Sequence, residues 1–257
     1  MSRDSLSIFK DQVLVLTLRE LKLKYKNTFL GILWSLFTPI SQTLILFLVF
    51  GVYLRFDMPY YALYLVSGLF LWQSFSNIIF AGLNCFFSNA QLIKKLPCRR
   101  CIFVWSVVFA ELIHLFLTIP IILWVMFYVK LPLTCHFLII IPVTVMFCLF
   151  MAGWVFLLGS LQLLLRDIER ILIIVIQLMF YLTPVFYPAH IVPDKFSFLL
   201  KLNPVYAFIQ GWRYAFSLPA TSLPINILGE CLLWTVIFLT CGVVFYSLKH
   251  KKFAEVI

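Results

Sequence analysis

Long stretches without a single formal charge constrain this chain more than any other feature. Residues 29–54, 60–83 and 131–165 contain no Asp, Glu, Lys or Arg, and residues 101–129 contain one acid, Glu111. Residues 171–187 and 231–248 are also free of charge, although the first of these is short and ends among prolines. About 20 apolar residues in a helix span a hydrocarbon core of about 30 Å. Barrel strands would alternate lipid-facing and lumen-facing residues, whereas these runs are apolar on every side and show no period of two. Composition agrees, with 63% of the 257 residues hydrophobic and 12% charged, more apolar surface than one soluble core can hide. The expected fold is therefore an all-α integral membrane protein, a single transmembrane domain over residues 1–257 with six spans at about 29–54, 60–83, 101–129, 135–165, 171–187 and 230–248. Charges recur through Lys26 before the first run, which far exceeds the core of a cleavable signal peptide, so that run is expected to stay in the mature protein.

The net charge of +10 raises the question of nucleic acid, but its distribution answers it. Of the 20 Lys and Arg residues, 15 fall in one set of alternate connections and 5 in the other. Such asymmetry is a topology signal that puts the richer set, and with it both termini, in the cytoplasm. Of the seven cysteines only Cys98 and Cys101 form a C-x-x-C pair, with no further ligands close in sequence. Reduced structural thiols are expected rather than a zinc site.

Three connections carry more than turn chemistry. Residues 5–27 mix Leu6, Phe9, Val13, Leu14 and Leu21 with Lys10, Arg19, Lys22, Lys24 and Lys26, which predicts an amphipathic helix in the inner interface. Residues 84–100 predict a short cytoplasmic helix with Leu92, Ile93 and Leu96 on one side and Lys94 and Lys95 on the other, stopped by Pro97. Residues 188–228 hold five of the twelve prolines and a run of aromatics too apolar for water, yet Lys195, Lys201 and Arg213 prevent a clean span. Short re-entrant helices on the outer side, suited to a gate, satisfy both facts if the broken backbone lines a protein-enclosed cavity. Candidate gate residues are Pro188, Asn203, Pro204 and Arg213.

Several chemistries are excluded. No G-x-x-x-x-G-K-S/T is present, and Gly is nowhere followed by Lys, so the chain lacks the phosphate cradle of a nucleotide hydrolase. No hydrolase motif of the H-E-x-x-H or G-x-S-x-G type occurs either, and no catalytic residue is assigned. Glu111 and His114 lie one turn apart in the third run. A proton relay could use them, although a hydrogen-bonded clasp between helices is the plainer reading of a single such pair.

Three strings then bear a family likeness. LTLRELKLKYKNTFLGILWSLFTPI (residues 16–40) combines R-x-x-K-x-K-Y-K with L-G-x-x-W-x-x-x-x-P. RDIERILIIVIQLMFYLTPVFYP (166–188) and LNPVYAFIQGWRYAF (202–216) follow it in order. Together they resemble the permeases of type-2 ABC exporters for bacterial surface polysaccharides. Tyr25-Lys26 ahead of Leu30-Gly31 is similar to the O-antigen and teichoic-acid branch. One departure is QLIKKLPCRRCIF (91–103), which lacks a second proline after its arginines.

The resemblance implies a homodimer in the bacterial inner membrane, paired with two copies of a soluble ABC ATPase, moving a lipid-linked polysaccharide. No cofactor is implied for this chain, ATP and Mg belonging to the ATPase, and no nucleic acid. Contact with the ATPase would fall on Arg19, Lys22, Leu92, Lys94, Lys95, Pro97, Arg99 and Arg100. Spans one and five would face the lumen with Trp34, Phe37, Phe47, Tyr53, Tyr181, Phe186 and Tyr187, whose flat apolar faces let a glycan slide with few hydrogen bonds to break. The competing expectations are an ABC permease for a small molecule or drug, a proton-coupled secondary transporter using Glu111 and His114, and a scaffold protein without a lumen.

Overall fold

The computed structural model of the chain describes residues 3–26, 29, 31–56, 58–95, 99–165, 167–218 and 224–249. Among these residues there is no strand. Five helical stretches are long and apolar enough to cross a bilayer: Trp34–Tyr53, Tyr61–Asn84, Cys101–Tyr128, Cys135–Leu164 and Ile225–Lys249. They correspond to the first four and the last of the predicted runs. The protein is thus a multi-pass helical membrane protein.

Helix α1 (Arg3–Tyr25) precedes them. Its Val13 and Thr17 are buried and share a groove with Trp105, Phe109 and Leu112. Ile8, Leu14, Val15, Leu18 and Leu23 remain exposed, so apolar side chains emerge on more than one side of α1 rather than on a single interfacial face. Helix α2 (Trp34–Leu46) passes directly into a π-helical stretch, Phe47–Tyr53. Such a widened turn is rare and tends to mark functional positions. Helix α3 (Tyr61–Asn84) is the axis of the fold, with 78% of its span buried against 6% for the α2 span and 17% for the last helix. One side of α2, with Trp34, Phe37, Ile40, Leu44 and Ile45 exposed, is therefore left for lipid or another protein.

After the short helix α4 (Ala90–Lys95) comes α5 (Cys101–Tyr128), whose 28 residues reach about 42 Å, longer than the hydrocarbon core. Helix α6 (Ile140–Leu164) follows a 3₁₀ turn, Cys135–Ile139. It crosses the last helix closely, where a Cβ on Gly153 would stand 2.5 Å from the Phe238 carbonyl. Beside this crossing the rings of Trp154 and Phe238 stack 4.4 Å apart. In lipid the apolar surroundings offer no hydrophobic drive, so close backbone approach and ring packing carry helix association.

Two predicted boundaries are corrected. The run expected to span at 171–187 forms α7 (Ile168–Leu182), of 15 residues, which extends about 22 Å and falls short of a membrane thickness. It ends because Thr183 adopts an extended conformation, as a residue before proline prefers, and turns its hydroxyl back to the Met179 carbonyl at 2.6 Å. Residues 183–187 are a turn rather than helix. The last helix, α10 (Pro224–Lys249), starts six residues before the expected 230, because proline is tolerated in the first helical turn. The outer segment placed at 188–228 accordingly gives up its end to α10. It contains α8 (Ser197–Leu202) and α9 (Pro204–Ala215), and α9 is buried on nearly every side.

Candidate functional site

Helix α3 holds two polar clusters, one past its middle and one near its start, and most of the singled-out residues gather at one or the other. The first lies toward the end of α3 that leads into α4. Glu111, on α5, is buried, and its carboxylate accepts from Asn77 Nδ2 at 3.2 Å and from Ser74 Oγ at 3.4 Å, both on α3. Lys24 of α1 completes the set at 3.4 Å. One turn along α5, His114 meets the Tyr25 hydroxyl at 3.1 Å through Nε2, and the two rings meet edge to face. Glu111 and His114 thus act as a clasp that ties α1 to α3 and α5. A cavity of about 400 Å³ opens beside it, lined by Glu20, Lys24, Asn77, Val107, Glu111 and His114 among others.

Adjacent to this clasp, α1 meets the connection after α3. The Arg19 guanidinium donates to Asn89 Oδ1, and Asn89 is buried, its own amide donating to the Cys85 carbonyl at 2.8 Å. Leu92 lines a groove with Gln12, Val15, Leu16 and Arg19 of α1. Of the residues expected to meet an ATPase, Arg19 and Leu92 are therefore brought together, while Lys22, Lys94, Lys95 and Arg99 are exposed and Arg100 is partly buried. Pro97, like Leu96 and Cys98, lies outside the described residues.

The second cluster lies toward the other end of α3. Arg213, on α9, is completely buried and sits 3.4 Å above the centroid of the Tyr64 ring. It donates through Nη1 to the Pro184 carbonyl at 2.8 Å and through Nη2 to the Val185 carbonyl at 2.7 Å. The Tyr64 hydroxyl donates to the Tyr187 carbonyl and the Tyr61 hydroxyl to that of Phe186, both at 2.8 Å. Asn203 caps α9 through the Val205 amide at 3.1 Å and donates to Thr183 Oγ1 at 2.6 Å. Every carbonyl from Pro184 to Tyr187 thus has a donor, which is the condition for non-helical backbone at membrane depth. Gly68 makes room for this arrangement, since a Cβ there would stand 2.5 Å from Arg213 Nη2 and 3.0 Å from the Val185 oxygen. All four candidate gate residues, Pro188, Asn203, Pro204 and Arg213, are buried here.

The seven candidate lumen aromatics divide. Trp34, Phe37, Phe47, Tyr53 and Tyr181 are exposed on this chain. Phe186 and Tyr187 are half-buried, Phe186 packing on Phe50 and Phe180. Sequence reasoning missed Ser74, Asn77, Tyr61, Tyr64 and Gly68. The polar residues on α3 carried a signal in their position within an otherwise apolar run, where an amide needs a partner.

A helical bundle with five stretches long and apolar enough to cross a bilayer, its first helix clasped to the interior and the short α8 and the buried α9 packed toward the start of α3, defines a multi-pass membrane architecture among the described residues. Residues 11–217 match the family described as ABC-2 type transporter. The chain belongs to that family. It is 35% identical over 207 residues, 80% of each chain, to an "O-antigen export system permease protein RfbA" of Klebsiella pneumoniae. It is 28% identical to a protein of the same name from Myxococcus xanthus over 96% of this chain and 95% of that one. Its identity to the "Polysialic acid transport protein KpsM" of Escherichia coli is 21%, over 98% of each.

Proposed function

We propose that this chain is the permease subunit of an ATP-driven exporter that carries a lipid-linked, O-antigen-like polysaccharide out of the cytoplasm across the bacterial inner membrane. The observation that carries the reading is the 35% identity, over 80% of both chains, to a protein named as an O-antigen export permease. ATP and Mg would be bound by a separate ABC ATPase, two copies of which pair with a homodimer of this chain. The nearly bare flank formed by α2 and α7 supports a dimer, in which the exposed aromatics Trp34, Phe37, Phe47, Tyr53 and Tyr181 would face the glycan route together with Phe186 and Tyr187.

In this reading both termini are cytoplasmic, α7 and the turn after it complete a sixth crossing, and α8 and α9 form the outer re-entrant gate held by Arg213, Asn203, Pro188 and Pro204. The ATPase would bear on α1 and the 84–100 segment through Arg19, Lys22, Leu92, Lys94, Lys95, Pro97, Arg99 and Arg100. Because α1 is joined to both α4 and the Glu111 clasp, a push there would travel to α3 and α5 as rigid-body motion. Glu111 is engaged by Lys24, Ser74 and Asn77, which suits a fixed joint better than a titrating proton carrier.

Deletion of the chain tests the proposal. Surface polysaccharide should disappear and lipid-linked polymer should accumulate in the cytoplasm, and the chain should co-purify with an ABC ATPase. Normal surface polymer after deletion would refute it.

A further inference from the structure

A cleft of about 260 Å³ opens where the end of α1 meets the start of α2 and the middle of α3, lined by Lys24, Tyr25, Trp34, Ser35, Gln73 and Asn77, with Thr38 at its edge. It shares Lys24 and Asn77 with the 400 Å³ cavity beside Glu111, so the pair is in the size class of small-ligand sites, about 300–1,000 Å³. Its chemistry is unlike that of the other aromatic surfaces on α2 and α7. Hydroxyls come from Tyr25, Ser35 and Thr38, carboxamides from Gln73 and Asn77, and one broad ring from Trp34, which is 45% exposed.

Charge narrows the ligand. Lys24 is the cation lining the cleft, and its charge is met by Glu111 at 3.4 Å. A phosphate or diphosphate would find no net positive field there. An acyl or prenyl chain would strand Gln73 Oε1 away from water, at the cost of about one hydrogen bond. The amides are already oriented: Gln73 Nε2 donates to Asn77 Oδ1 at 2.9 Å, and Asn77 Nδ2 donates to Glu111 Oε1 at 3.2 Å. No described residue donates to Gln73 Oε1, which is left to accept from a hydroxyl. A neutral ring with C–H faces and hydroxyl edges suits this lining, its face on Trp34 and one hydroxyl donating to Gln73 Oε1.

We propose that this cleft is a sugar-binding station that grips one neutral pyranose unit of the cargo at the Trp34 end of the aromatic route. The inference rests on the export reading. It differs from sliding past exposed rings, because fixed carboxamides select hydroxyl geometry and so contribute specificity.

The test uses the complete chain with its ATPase, in cells making the glycan. A photo-crosslinking phenylalanine analogue is placed at position 73, at 38 as an independent variant should the first fail to fold, and at 124, exposed near the far end of α5, as a control. Glycan-stained adducts are expected at 73 and 38 and not at 124, and Gln73→Leu should lower the yield at 38 roughly fivefold, as loss of one net hydrogen bond requires. Adducts with phospholipid alone, equal yield at 124, or no effect of Gln73→Leu would overturn the station. Glycan captured from position 181 but from neither 73 nor 38 would overturn the station and leave the export reading standing. Unchanged export after deletion of the chain would sink the export reading itself.

Discussion

Arg213 lies over the Tyr64 ring in the interior, the guanidinium carbon 3.4 Å from the ring centroid, and the pair donates to the carbonyls of Pro184, Val185 and Tyr187. Among the described residues no carboxylate pairs with Arg213. Its charge is instead spread over peptide dipoles and an aromatic quadrupole. Only a planar fork can lie on the ring and bridge two successive carbonyls. Arg213→Lys should therefore lose at least one charge-assisted hydrogen bond, about 1.5–3 kcal/mol, read as a lowered midpoint of thermal unfolding in detergent. A variant as stable as the wild type would show that the fork is dispensable.

Tyr64→Phe keeps the ring under Arg213 and removes the hydroxyl that holds the Tyr187 and Pro184 carbonyls. Pro184 retains Arg213 as donor, so Tyr187 is the carbonyl left open. The expected loss is about 1 kcal/mol. Gly68→Ala acts on the same cluster from below, because its methyl would displace Arg213 Nη2, and overpacking of this kind costs about 1–3 kcal/mol. Since the Tyr64 hydroxyl and the guanidinium that Gly68→Ala displaces share the Pro184 carbonyl, their effects should not add. A double-mutant cycle with a coupling below about 0.3 kcal/mol would indicate independent sites.

The Glu111 clasp predicts an asymmetry. Lys24 keeps 42% of its side chain exposed and Glu111 only 5%. Glu111→Gln retains an acceptor for Asn77 and Ser74 and releases a lysine that can reach water, so its stability should fall by about 1 kcal/mol or less. Lys24→Met strands a buried carboxylate on neutral partners and should cost more. Combining the two should recover much of the Lys24→Met loss, because the stranded charge is gone. Equal losses from the two single variants would contradict the burial difference on which the ordering rests.

What could be read beforehand followed the range of the interactions involved. Apolar runs located the five long helices to within six residues at each end, because the length of a span follows mainly from local composition. The end of α7 was missed because Thr183-Pro184-Val185 is as apolar as a helix, and its turn is held by Arg213, 28 or 29 residues away, and by Tyr64, 120 or more away. Arg213 was visible as a charge that forbids a clean span, but not what would bury it. Glu111 was likewise visible, while its partners stand 34, 37 and 87 positions off. For α1 the basic residues were legible as surface, yet Arg19 is consumed by Asn89 across 70 positions.

That last contact leads to the prediction that separates folding from transmission. Lys94 and Lys95 are exposed on α4, so Lys94→Glu with Lys95→Glu should change stability by no more than about 0.5 kcal/mol. If α4 carries the ATPase contact, two reversed charges oppose docking, and glycan export should fall at least tenfold while the permease remains in the membrane at normal level. Arg19→Ala breaks the next contact inward and leaves α4 chemically unchanged. Because the other proposed contacts on α1 and residues 84–100 remain, the ATPase should still bind and hydrolyse ATP with this variant, but α1 no longer holds the segment through Asn89, so export per ATP should drop. The two variants are distinguished by co-purification of the ATPase, lost in the first and kept in the second. Full export in both would mean that force enters this protein elsewhere than at the junction of α1 and α4.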